Sequence, residues 1–126
     1  MTYLATSINE SPVIVDKAGA VLADVRGKAV KYADGAIVLA GANEAVIGVG
    51  IMTNDENIAV GADVNIQIKD IGLVRAGGKI TKGSELSADA SGNFVTASSG
   101  YVAAIALDDA ADAGVYIKAR LVSYKK

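Results

Sequence analysis

Val64-Asn65-Ile66-Gln67-Ile68 alternates apolar and polar side chains without a break, and Val115-Tyr116-Ile117-Lys118-Ala119-Arg120-Leu121 does much the same near the end of the chain. Successive residues of a strand point to opposite faces, so each run presents one apolar face and one mainly polar face. Other short runs are rich in apolar and β-branched residues: Val13–Val15, Ala20–Val25, Ala29–Tyr32, Ala36–Ala40, Val46–Ile51, Ile71–Arg75, Phe94–Thr96 and Tyr101–Leu107. Breakers separate them at Asp34-Gly35, Gly61-Ala62-Asp63, Gly77-Gly78, Lys82-Gly83, Ser91-Gly92-Asn93 and Ser98-Ser99-Gly100. Short strands at this spacing predict an all-β fold, a small β-barrel or β-sandwich. Ala103–Ala113 is rich in the best helix former, but it opens Ala-Ala-Ile-Ala-Leu and runs into Asp108-Asp109. Strand then loop is the favoured reading there, with helix the alternative. Asn54–Asn57 reads as a loop.

At 126 residues the chain is the length of one domain. Residues 1–15 are expected to form an extended N-terminal arm, and residues 16–126 a single β domain. Thr2–Pro12 shows no periodicity and carries the single Pro of the sequence. Within the domain, Gly48–Ile51 followed by Val64–Ile68 resembles Ala104–Leu107 followed by Val115–Ala119, a weak internal echo. Met1–Glu10 lacks the basic and apolar regions of a signal peptide. The longest apolar stretches, interrupted at Asn43-Glu44, fall short of the ~18 residues of a membrane helix. No membrane partner is expected.

Composition excludes much chemistry. There is no His, Cys or Trp, which removes the usual general base, the commonest zinc ligands and every thiol nucleophile. Twelve Lys and Arg against 14 Asp and Glu leave a net charge of −2, without the basic surplus of a nucleic-acid binder. Gly77-Gly78-Lys79-Ile80-Thr81 resembles a phosphate loop only in part, because Ile80 stands where the Mg²⁺-binding hydroxyl belongs. Gly48-Val49-Gly50 lacks the third Gly of a dinucleotide fingerprint and reads as close packing within a strand. The acidic runs Asn54–Asn57 and Asp108–Asp112 lack the ligand spacing of a calcium loop and read as solvated charge. No enzyme, cofactor or metal site is expected. A small domain with 52% hydrophobic residues tends to cover surplus apolar surface with another subunit or a partner.

One order of motifs is more specific. It reads Gly61-Ala62-Asp63-Val64-Asn65-Ile66, Gly72-Leu73-Val74, Ile80-Thr81-Lys82-Gly83-Ser84-Glu85-Leu86, Asp89-Ala90-Ser91-Gly92-Asn93-Phe94-Val95-Thr96-Ala97, Ile105-Ala106-Leu107 and Gly114–Leu121. This succession resembles the capsid decoration, or cement, proteins of tailed bacteriophages. It spans about half the chain and consists mainly of turn glycines and strand alternation. Ser84 departs from the pattern, where Asp is more typical.

The resemblance implies a structural virion protein on the capsid exterior, made in the bacterial host cytoplasm. Its implied partner is the major capsid protein of a phage head, whose neighbouring subunits it would bridge. A homotrimer is the implied assembly, with a dimer as the alternative. An extended segment can add main-chain hydrogen bonds at a neighbour's sheet edge. Thr2, Tyr3, Leu4, Ile8, Pro12 and Val13 are the residues expected to contact the capsid. The other reading of the sequence is a small β ligand- or receptor-binding module of a phage tail or cell surface.

Overall fold

A computed structural model describes residues 11–126. Among them are twelve strands and no helix. The first sheet contains β1 (Val13–Lys17), β3 (Ala29–Ala33), β4 (Ala36–Leu39), β5 (Gly48–Gly50) and β7 (Asp63–Gln67), in the order β1-β7-β5-β3-β4. The second contains β8 (Ile71–Arg75), β9 (Glu85–Ala88), β10 (Phe94–Thr96), β11 (Tyr101–Ala106) and β12 (Tyr116–Lys125), in the order β8-β12-β11-β9-β10. A two-stranded sheet pairs β2 (Leu22–Ala23) with β6 (Asn57–Ile58). The fold is all-β and sandwich-like, and no barrel closes.

Taken in chain order, the five strands of each large sheet are arranged identically: first, fifth, fourth, second, third. Every pairing within them is antiparallel. Each sheet curls until its outer elements meet at one parallel bridge, Ala18 with Ile37 in the first and Ala76 with Phe94 in the second. The main-chain hydrogen bonds repeat in detail. Gly19 donates to the Ile37 carbonyl at 2.7 Å, and Gly77 to that of Phe94 at 2.8 Å. Gly61 donates to Ala18 and Gly114 to Ala76, both at 2.8 Å. Gly50 donates to Lys28 at 3.0 Å and Ala106 to Ser84 at 2.9 Å. These bonds set Gly61 in the place of Gly114, and hence Val64 in that of Ile117. The sequence echo aligned Val64 with Val115, two residues away. A shift of two preserves strand parity, so alternation alone does not detect it.

Burial follows the alternation where one face meets the core. Val64 and Ile66 are buried while Asn65 and Gln67 are half-buried; Ile117 and Ala119 are buried while Lys118 and Arg120 are exposed. Leu22, Val25, Val30, Ile37, Val64 and Ile66 fill the curl of the first sheet. A second core holds Val74, Ile80, Leu86, Phe94 and Ile117 together with Ala29, Ala40 and Val49 from the first half of the chain. Val30 and its neighbour Ala29 thus serve different cores, which binds the two sheets face to face. Strands packed on both sides need small residues. A Cβ on Gly48 would strike the Gln67 carbonyl, and one on Gly50 the Val25 carbonyl. Close packing therefore accounts for Gly48-Val49-Gly50.

The element boundaries compare with the sequence reading as follows from the pairing. Val13–Val15, read both as a strand-like run and as the end of the arm, are the first residues of β1 and pair with Gln67, Ile66 and Asn65. The strand expected over Ala20–Val25 shrinks to Leu22–Ala23, because Asp24 has a φ of 52° and turns the chain. Ala103–Ala113 agrees with the favoured reading, strand to Ala106 and loop beyond.

Candidate functional site

Among the described residues, no three acidic side chains come together in a way that could hold a metal. The loop carboxylates have local work instead. Asp109 accepts from the Lys82 amide at 2.7 Å, and Asp108 from that of Lys118 at 3.2 Å. Asn54, read from sequence as part of a solvated loop, is buried. Its side-chain amide donates to the carbonyls of Ile51 at 3.0 Å and Asn65 at 2.8 Å, and its oxygen accepts from the Asn65 amide at 2.8 Å. One side chain thus takes the place of a strand partner and pins the loop after β5 to β7. Ile80 of the supposed phosphate loop is buried and exchanges two 2.9 Å main-chain bonds with Ala110.

Part of the charged surface is organised in pairs. Tyr32 donates its hydroxyl to Asp16 at 2.7 Å, which with the Lys17 amide holds that carboxyl below its usual range. Lys31 meets Glu44 at 2.7 Å; this contact and the Gly41 amide depress the Glu44 pKa. Glu85 receives the Tyr124 hydroxyl and, at 2.9 Å, the Lys126 ammonium, and its pKa is likewise lowered. Lys126 also donates its main-chain amide to Gly100 at 2.7 Å, which ties it to the turn before β11.

What the surface offers beyond this is apolar. The first sheet turns its outer face, bearing Val49 and Gln67, toward the outer edge of β8. A groove of about 390 Å³ lies between them, walled by Val49, Ile51, Met52, Ile71 and Leu73, with Lys118 at its rim. Ile71 is 58% exposed and Leu73 and Met52 are each 43% exposed. The groove is a built feature. Gln67 donates its side-chain amide to Lys69 at 2.9 Å and to Ile71 at 2.8 Å, fixing the turn between β7 and β8. Asn54 fixes the opposite wall through Ile51.

Of the expected contact residues, Thr2, Tyr3, Leu4 and Ile8 lie outside the described residues. Pro12 and Val13 are in the structure, on the side of β7 away from β5. The Pro12 carbonyl accepts from the Ile68 amide at 2.7 Å, and Val13 pairs with Gln67. The groove itself was not foreseen. Its signal lies in Ile71-Gly72-Leu73-Val74, where no polar residue alternates with the apolar ones, so both faces of β8 are apolar.

Comparison with known proteins follows this geometry closely. A family model described as phage cement protein matches residues 11–121, which takes in both large sheets. The chain belongs to the phage cement protein family. Curated proteins supply no match. Among solved structures, this cement protein is similar to the head fiber gp8.5 N base of bacteriophage phi29. The two share 21% sequence identity at a TM-score of 0.67, over 90% of this chain and 96% of that one. The likeness extends the all-β architecture to a second sequence.

Proposed function

We propose that this cement protein binds the outer surface of a tailed-phage head and stabilises the shell by bridging neighbouring major capsid subunits. The observation that carries the reading is the family match over residues 11–121. The protein's chemistry agrees with it. The described surface carries exposed apolar side chains and paired charges, the materials of an interface. Many copies on one lattice gain avidity, so each contact can be modest.

Thr2, Tyr3, Leu4, Ile8, Pro12 and Val13 supply the shell contact in this reading, and the copies assemble as homotrimers on the capsid exterior. The protein is made in the host cytoplasm, carries no cofactor and contacts neither nucleic acid nor membrane. Co-sedimentation with matched heads tests the contact. The intact chain should pellet with heads, and a chain lacking residues 2–10 should lose most of its binding while keeping its strand content by circular dichroism. Equal binding by both chains would remove the segment from the contact.

A further inference from the structure

The groove between β5, β7 and β8 is open along the edge of β8. Asp70 accepts from the Leu121 amide at 2.9 Å and Ala76 donates to the Val115 carbonyl at 2.8 Å, and these two pairs bracket the ladder between β8 and β12. In an antiparallel ladder the bonded pairs recur at every second residue. Gly72 and Val74 therefore bond to β12, while Ile71, Leu73 and Arg75 turn their main-chain groups away from it. Arg75 confirms the direction by donating its amide to the Gly27 carbonyl at 2.7 Å. The Ile71 carbonyl accepts from the Gln67 side chain at 2.8 Å. That leaves Leu73, whose neighbour on β12 is Lys118. The Lys118 amide goes to Asp108 and its carbonyl accepts from Leu107. The Leu73 amide and carbonyl thus have no partner among the described residues, and such an unpaired edge is a template for another strand.

The two walls of the groove differ in chemistry. Val49, Ile51 and Met52 make one of them apolar. On the other, Leu73 and Ile71 stand beside Lys118 and Arg120, their partners in register on β12. Both cations are exposed, and neither has an ion-pair partner among the described residues. Asp108 is bonded to the main chain of Lys118, not to its ammonium. An extended segment suits all of these features at once, because its side chains alternate between two faces. Aliphatic residues on one face would cover Val49, Ile51 and Met52, and carboxylates on the other would reach over Leu73 and Ile71 to Lys118 and Arg120.

We infer that β8 takes an added strand from another protein, an extended segment whose side chains alternate between aliphatic and acidic. The added strand exchanges a pair of main-chain hydrogen bonds with Leu73, and the pockets and charges beside it select the side chains. Identifying the donor as the major capsid protein rests on the proposed function. The strand addition is a property of the groove and is tested without heads.

The probe is a capped peptide of alternating valine and glutamate, about seven residues long, added to the full chain and followed by amide hydrogen exchange in NMR. In the chain alone, the Leu73 amide should exchange faster than those of Gly72 and Val74. With peptide at about ten times its Kd the free fraction is about one-tenth, and the Leu73 rate should fall roughly tenfold. The same peptide with lysine in place of glutamate should not protect it. Leu73→Pro removes the donor without taking a bond from the ladder, a change that edge strands accept, and should abolish the peptide-induced amide shifts around the groove. Val15→Pro, the same change at an outward-facing amide of the edge strand β1, should keep them. Should Leu73→Pro not fold by circular dichroism, Lys118→Glu serves instead and should weaken binding about fivefold, the scale of an exposed ion pair. Binding that leaves Leu73 unprotected, equal binding of the two peptides, or no binding at millimolar peptide would overturn the inference. So would protection of Leu73 in the chain alone that is lost on dilution, which would give the edge to a second copy. Heads bound normally by a chain that ignores the peptide would count against this inference alone, and protection of Leu73 in a chain that does not bind heads would count against the proposed function alone.

Discussion

Asn54 stabilises the fold by three main-chain bonds that no apolar residue could make. Replacing it leaves the Asn65 amide without its partner, at a cost of about 1–3 kcal/mol, while the Ile51 and Asn65 carbonyls keep the main-chain amides of Asn54 and Ile51. Asn54→Ala should therefore lower the unfolding free energy by about 1–3 kcal/mol in urea titration, and should loosen the groove wall at Ile51. Gly48 acts through what it lacks. Gly48→Ala forces a methyl group into the Gln67 carbonyl, and overpacking of this kind costs about 1–3 kcal/mol, read in the same titration. The carboxylates set the response to acid. Glu85, Glu44 and Asp16 all have folded pKa values below their ordinary ones, through Tyr124, Lys31 and Tyr32 respectively. Such groups contribute stability above the ordinary carboxylate pKa, and that stability disappears as pH falls through the folded value. The melting temperature should thus drop as pH falls below the ordinary Glu value of 4.5. Glu85→Gln should show a smaller acid-induced drop than the parent, and an equal drop would contradict the assignment.

Elements were legible in the sequence in proportion to how one-sided their burial is. β7 and β12 each cover one core, so their period of two is clear and both were found. β3, β4 and β8 were found through their apolar runs, and the Asp34-Gly35 turn between β3 and β4 is the two-residue connection that such a dipeptide predicts. Both turn residues have positive φ, 51° and 79°. Gly35→Ala should cost about 1 kcal/mol for the left-handed backbone alone, since nothing crowds the site. Gly78→Ala, in open space without that backbone, should be close to neutral by the same urea measurement. β9 escaped because Leu86, Ser87 and Ala88 are buried in succession, and Ser87 is polar. Its hydroxyl meets Asn43 at 3.2 Å, a partner 44 residues away that no local pattern reveals. β6 is two residues long, too short to show a period. The groove was hidden for a related reason. An apolar outer face on β8 looks the same in sequence whether a core or a partner covers it.

At the scale of the molecule, one strand order appears twice, and the two copies are not interchangeable. Ala29 and Val49 of the first sheet pack into the shared core, while Glu85 and Ile105, which pair in the same way in the second, are half-buried. Glu85 is closed over by Tyr124 and Lys126 from the C-terminal end of β12. Because one core draws on both sheets, unfolding should be a single cooperative transition, with calorimetric and van't Hoff enthalpies equal. Two resolved transitions would show that the halves fold apart. The family was legible in the order of motifs from Gly61 to Leu121, and the match beginning at residue 11 adds the first sheet to it. Whether the protein bridges the shell is decided by a cryo-electron microscopy map of matched heads incubated with the intact chain. Added density is expected on the outer surface, spanning the joints between neighbouring capsid subunits with threefold symmetry. Heads that stay bare at saturating protein, or density confined within single capsid subunits, would contradict it.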